Sequence, residues 1–299
     1  MLALCLSGGA LAQQLIALHP WEPDDNVISL SFDSDTGIYV FEETVGSTGL
    51  AITFSLAWNP IDGNFYALGS EVDSQPYHPR SLYRLDGTDF SAVELIQELE
   101  GTDGNLNPNA LTIDSSGNFY IFYQSGIIDH FDLATSTSTL HAEIPGQFSI
   151  AAVGMTYDFD ADRLIVGLED SPAQLLAVQS NGTVEPLFSF FTPGDRDDCP
   201  AQALAYEGAG TIIVGTTYSC DLFYRIDLDA EDVELVAQPN GTPWQNLKSL
   251  VLPGAAPPPP PPAPTPLAVP VGGYGLSALL ALMIMVMTMV LVKGLRTRS

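Results

Sequence analysis

Basic residues are scarce in this chain: nine Lys and Arg stand against 36 Asp and Glu, for a formal net charge of −27. A surface of that sign repels phosphate backbones, which argues against nucleic acid as a partner. Lys293, Arg296 and Arg298 fall near the very end, so the rest of the chain is more acidic still. Cysteine is almost absent as well. With Cys5 in an apolar leader, only Cys199 and Cys220 are left to pair, which suits an oxidising compartment and excludes a disulfide-dense scaffold. The four histidines (His19, His78, His130 and His141) have no partner at metal-ligand spacing, so no single motif builds a zinc site. There is no G-x-S-x-G elbow, P-loop or Rossmann glycine pattern, which removes the familiar nucleophile and nucleotide-binding signatures.

What the chain does have is a recurring set of short apolar runs. Leu56-Ala57-Trp58-Asn59-Pro60 leads into a turn at Asp62-Gly63-Asn64 and then Phe65-Tyr66-Ala67-Leu68. Ser81-Leu82-Tyr83-Arg84-Leu85-Asp86 follows, then a turn at Gly87-Thr88-Asp89 and the run Val93-Glu94-Leu95-Ile96. Runs rich in β-branched and aromatic residues between turn residues predict four antiparallel strands. Inner strands are predicted around Leu56, Leu111, Met155, Leu204 and Leu250, and later strands ending at Asp33, Asp86, Asp132, Gln179 and Asp227. The period is about 50 residues, one blade length. The fold class is therefore all-β: a single β-propeller over residues 13–252, with five blades. Leu15 to Leu18, Val27 to Phe32 and Ile38 to Phe41 match strands two, three and four of a blade. Leu247 to Leu252 supplies the missing first strand, so the two ends of the domain close the ring and leave no open edge there.

The flanks read as addresses. Leu2 to Leu6 is apolar and Ala10-Leu11-Ala12 is an A-x-A cleavage pattern, so residues 1–12 are expected to be a signal peptide, truncated at its basic end. Residues 253–270 form a Pro-rich linker in which Pro257 to Pro262 is unbroken, a semi-rigid polyproline spacer. Residues 275–292 carry no charge. As a helix they would span roughly 27 Å at ~1.5 Å per residue, near the thickness of a bilayer core. The basic residues within 293–299 then mark a cytoplasmic tail and place the domain outside. The membrane is thus an expected partner, crossed once.

This ending resembles the bacterial IPTL-type C-terminal sorting signals, in which an Ile/Val-Pro motif precedes an aromatic-Gly pair, a hydrophobic helix and an Arg-rich tail. The matching residues are Val269-Pro270, Tyr274-Gly275, residues 276–292, and Lys293, Arg296 and Arg298. Val271-Gly272 stands where Thr-Leu is usual, and Tyr274 where Trp is usual. The resemblance covers about the last thirty residues of the chain. It implies a Gram-negative envelope and a sorting protease of exosortase type as a partner. The domain would then be held at the inner membrane or released to the cell surface.

Candidate sites are few. Asp158, Asp160 and Asp162 alternate as in a calcium loop but lack the glycine and distal glutamate of an EF-hand. They fall where other units place their first turn, so a hairpin turn is the expectation and Ca²⁺ the alternative. Asp195, Asp197 and Asp198 form a second acidic cluster beside Cys199, the other candidate for a cation. Cys199 precedes the inner strand of its blade and Cys220 follows the second strand, so both loops are expected on one face. A Cys199–Cys220 disulfide would close a loop of about 20 residues, worth about 3 kcal/mol. Trp21, Tyr77 and Trp244 lie near Pro and Asp, where such rings can stack on a sugar. No catalytic residue and no resident cofactor is expected.

These readings predict an exported, non-catalytic binding module of the cell envelope or extracellular matrix, with a glycan or envelope protein as ligand. The alternative is a metal-assisted propeller enzyme of lactonase, lyase or glycosidase type, with carboxylates converging at the central channel. A stalked structural coat protein is the third class.

Overall fold

A computed structural model describes residues 14–19, 26–71, 80–146, 153–168, 173–190, 201–216, 222–237, 247 and 249–253. The described residues form five four-stranded antiparallel sheets. The chain begins with β1 (Leu15–His19), β2 (Asn26–Asp33) and β3 (Ile38–Ser47). A second sheet holds β4 (Ile52–Trp58), β5 (Phe65–Ser70), β6 (Ser81–Leu85) and β7 (Ala92–Glu98). The third holds β8 (Pro108–Ile113), β9 (Phe119–Tyr123), β10 (Ile127–Asp132) and β11 (Thr137–Glu143). The fourth holds β12 (Gly154–Asp158), β13 (Arg163–Leu168), β14 (Ala173–Gln179) and β15 (Val184–Phe190). The fifth holds β16 (Ala201–Gly208), β17 (Thr211–Thr216), β18 (Phe223–Asp227) and β19 (Asp232–Ala237), and β20 (Ser249–Val251) comes last.

The first sheet has the order β20-β1-β2-β3, with Ile16 opposite Val251, Ala17 opposite Leu250 and Leu18 opposite Ser249. The last strand therefore completes the first blade. The architecture is the five-bladed propeller that the repeat predicts, closed by strands from both ends. Each inner strand (β20, β4, β8, β12, β16) borders the channel, and its blade runs outward to β3, β7, β11, β15 or β19.

The core lies between blades. Among the described residues, five apolar clusters correspond to the five blade junctions. Leu30, Ile213 and Leu250 belong to the junction of blades five and one, and Leu68, Ile121 and Phe131 to that of blades two and three. A strand covered on both faces is mostly apolar, and β5 and β8 are buried throughout, with Ser70, Asn109 and Thr112 as their polar members. Outer strands escape that demand. The sequence reading stops the third of these strands near Phe41, yet β3 continues through Glu42, Glu43 and Thr44, all exposed. Two register shifts on β2 accommodate the longer partner.

The expected signal (1–12), the expected linker beyond Pro253, the expected membrane span (275–292) and the expected tail (293–299) lie outside the described residues. Among the described residues no helix is long and apolar enough to cross a membrane.

Candidate functional site

The centre of the ring is built from one triplet repeated on five strands: Leu56-Ala57-Trp58, Leu111-Thr112-Ile113, Met155-Thr156-Tyr157, Leu204-Ala205-Tyr206 and Leu250-Val251-Leu252. Together with Phe159 they line a cavity of about 40 Å³, room for a few waters at most. Hydroxyls tie some of these strands together from blade to blade. Ser249 Oγ donates to the Leu56 carbonyl at 2.9 Å and accepts from the Leu56 N–H at 3.1 Å. Ser55 Oγ accepts from the Leu111 N–H at 3.0 Å in the same way, one blade further on. The matching positions on the other strands are Ala110, Gly154 and Ala203. At Gly154 a side chain is excluded, because an added Cβ would collide with the Gln202 carbonyl and the Leu204 side chain.

Around one end of this channel the turns carry carboxylates, and tyrosines reach them. Tyr66 donates to Asp62 at 2.7 Å across the β4–β5 turn, and Tyr120 approaches Asp114 at 3.4 Å. In the β12–β13 turn the three aspartates of the suspected calcium loop point to three different partners. Asp158 accepts from the Asp160 and Ala161 N–H groups and from Arg163 Nε at 2.9 Å. Asp160 accepts from the Tyr206 hydroxyl of the next blade and from the Ala209 N–H at 2.8 Å. Asp162 accepts from Tyr157 at 2.5 Å. Burial, and then these carboxylates, push the hydroxyls of Tyr66, Tyr157 and Tyr206 well above the ordinary tyrosine range, so they stay protonated donors. Burial, followed by the Asp114 charge, pushes Tyr120 up to about 12.

Near the end of β16, Glu207 stands in the corresponding place. Arg225 takes it side-on, Nε to Oε2 at 2.7 Å and Nη2 to Oε1 at 2.8 Å, while Tyr39 donates to Oε1 at 3.2 Å. The same guanidinium lies 4.4 Å over the Phe32 ring. The sequence reading found none of these ties. A signal was nevertheless present, since Tyr66 and Tyr120 both follow a Phe just after an Asp/Asn/Gly turn.

Asp195, Asp197, Asp198, Cys199 and Cys220 lie outside the described residues, as do Trp21, Tyr77, Trp244, Val269, Pro270, Tyr274, Gly275, Lys293, Arg296 and Arg298. The described ends next to the two cysteines are paired, Ala201 of β16 with Thr216 of β17. Among the described residues, no group of three or more His, Cys, Asp and Glu is placed to hold a metal ion.

No protein-family model and no curated protein matches the chain. Solved structures share its shape. A protein of unknown function from Bacteroides thetaiotaomicron aligns at a TM-score of 0.52 and 13% identity, over 76% of this chain. The match spans only 60% of that protein's length. A chain in a nidogen/laminin complex aligns at a TM-score of 0.51 and 8% identity, over 80% of this chain and 97% of its own. The extracellular domain of a hybrid two-component system from B. thetaiotaomicron aligns at 0.42 and 17% identity, over 78% of this chain and 31% of its own. At these identities the likeness shows the fold alone.

Proposed function

We propose that the protein is an exported interaction module, a propeller that meets its ligand with its faces and edges. The filled channel is the observation that carries this reading. Small-molecule sites are clefts of roughly 300–1,000 Å³, whereas Leu, Met, Ile and aromatic side chains leave about 40 Å³ between the inner strands. The carboxylates at the channel end are likewise held by the protein's own donors. A metal-assisted lactonase, lyase or glycosidase needs carboxylates that converge on an open centre, so the binding reading stands ahead of it. The ligand class is an extracellular glycan or another envelope or matrix component. A chain of this shape occurs in a nidogen/laminin complex, which supports a recognition role for such a ring. Export belongs to the same reading, with a signal at 1–12, a spacer from 253, a membrane span at 275–292 and an exosortase-type sorting signal at the end. A Cys199–Cys220 bridge would suit the oxidising side of that membrane.

The full-length protein, purified from a Gram-negative host, tests the reading against a panel of extracellular polysaccharides and envelope proteins. Saturable binding that survives EDTA is expected. Turnover of a lactone or glycoside that EDTA abolishes would overturn it in favour of the enzyme. Intact mass tests the sorting proposal: loss of the residues beyond about Gly275 is expected, and their persistence in the membrane fraction would make the segment a permanent anchor.

A further inference from the structure

Four arginines lie among the described residues. Arg80 is buried against Phe54, Pro108 and Asn109. Arg163 and Arg225 grip carboxylates that are themselves mostly covered. Arg84 differs. Its side chain is 39% exposed, and that of Glu94, which it meets across the β6–β7 pair, is 50% exposed. Both contacts, from Nε and from Nη2, land on Glu94 Oε2 at 2.8 Å. Among the described residues Glu94 Oε1 and Arg84 Nη1 have no partner, so the pair still offers one acceptor and one donor. An ion pair so exposed adds little to stability.

Beside it is a cavity of about 330 Å³, open between blades two and three and at the lower end of the range for small-molecule sites. Tyr66, Arg84, Glu94, Leu95 and Ile96 line it from blade two, and Leu133 from the β10–β11 turn of blade three. Three consecutive residues of β7 reach one cavity because the strand is bulged. Its register against β6 shifts on both sides of Glu94-Leu95, which leaves Val93 and Ile96 as extra residues. A bulge breaks the alternation of side chains and re-aims one of them. It also spoils the even row of backbone groups with which a peptide strand would pair along this outer edge. The charges of Arg84 and Glu94 cancel, in a chain with 36 acidic residues against nine basic, so an acidic polymer is repelled and a neutral ligand fits. Neighbouring sugar hydroxyls each donate and accept, and the C–H face of a sugar ring is apolar. We propose that this groove is a subsite for a neutral pyranose unit of a glycan. Adjacent hydroxyls meet Arg84 Nη1 and Glu94 Oε1, and the C–H face lies on Leu95, Ile96 and Leu133. This assignment names a ligand class within the interaction-module reading and rests on it.

The full-length chain in detergent tests this, titrated with dextran, mannan and galactan as neutral probes and with alginate as the acidic one. Saturable binding of a neutral glycan is expected, and none of alginate at the same ionic strength. Arg84→Gln and Glu94→Gln should each raise the Kd about tenfold or more, with thermal midpoints close to that of the unaltered chain. Failure of every neutral probe, binding of alginate alone, or an unchanged Kd in both variants would overturn the groove. An unchanged Kd leaves the interaction-module reading intact, since the glycan then binds elsewhere. After failure of the neutral probes that reading stands only if alginate or an envelope protein binds saturably. Should a variant fail to fold, the Leu95, Ile96 and Leu133 methyl resonances of the unaltered protein are expected to move saturably with the bound glycan, and methyls that stay in place overturn the site.

Discussion

At the residue scale, single polar atoms carry much of the order at the centre. Ser249 is 6% exposed, and its hydroxyl satisfies both the N–H and the C=O of Leu56. Ser249→Ala leaves both groups unmet in a dry setting and is expected to cost about 1–3 kcal/mol, read as a lower urea midpoint with an unchanged slope. His141 offers a test by pH. Burial, and then the charge of nearby His130, hold its pKa below the ordinary value. Both states are neutral above about 6.5, the unfolded value. As the pH falls below that, the unfolded chain takes up the proton first, so stability drops until the pH passes the lowered folded value. Denaturation at pH 7 and pH 5 should therefore show a loss that His141→Gln reduces. The turns were readable at this scale, because Asp, Asn and Gly with backbone-capping geometry announce themselves. The tyrosine ties were not, since Tyr206 meets Asp160 from another blade and no local spacing records that. Arg80 gave no signal either, because the groups it meets, Phe54, Pro108 and Asn109, are distant from it in sequence.

At the element scale, the repeat was legible because strands buried on both faces are mostly apolar along their length, and turns must interrupt them. Leu56, Leu111, Met155, Leu204 and Leu250 do occupy equivalent places on the inner strands. The true length of β3 was hidden, since an outer strand imposes no such pattern. Also hidden was how closely the inner strands approach. Gly154 lies where the β12 backbone nears β16, and Gly154→Ala is expected to cost about 1–3 kcal/mol through overpacking. Gly87 has an ordinary φ and open space around its missing side chain, so Gly87→Ala should be close to neutral. Thermal melts of the two variants side by side separate steric exclusion from the general effect of replacing a glycine.

At the scale of the whole molecule, charge and closure dominate. Residues 13–252 hold all 36 acidic residues and only six of the nine basic ones, and that excess of one sign stores self-repulsion. Salt shortens its reach, from a Debye length of about 30 Å at 0.01 M to about 8 Å at 0.15 M. The thermal midpoint should accordingly rise with sodium chloride over that range, and a flat response would show that the acidic groups are too far apart to matter. Closure has a different consequence, in time. The first strand made, β1, pairs with the last, β20. At a synthesis rate of about 5–20 residues per second, β1 waits roughly 10–50 s for its partner to be made. Until then the first blade has three strands and the ring a gap, so the nascent chain remains an unfinished thread. Under the proposed export, that delay would be the interval in which a narrow translocation pore can still accept the chain.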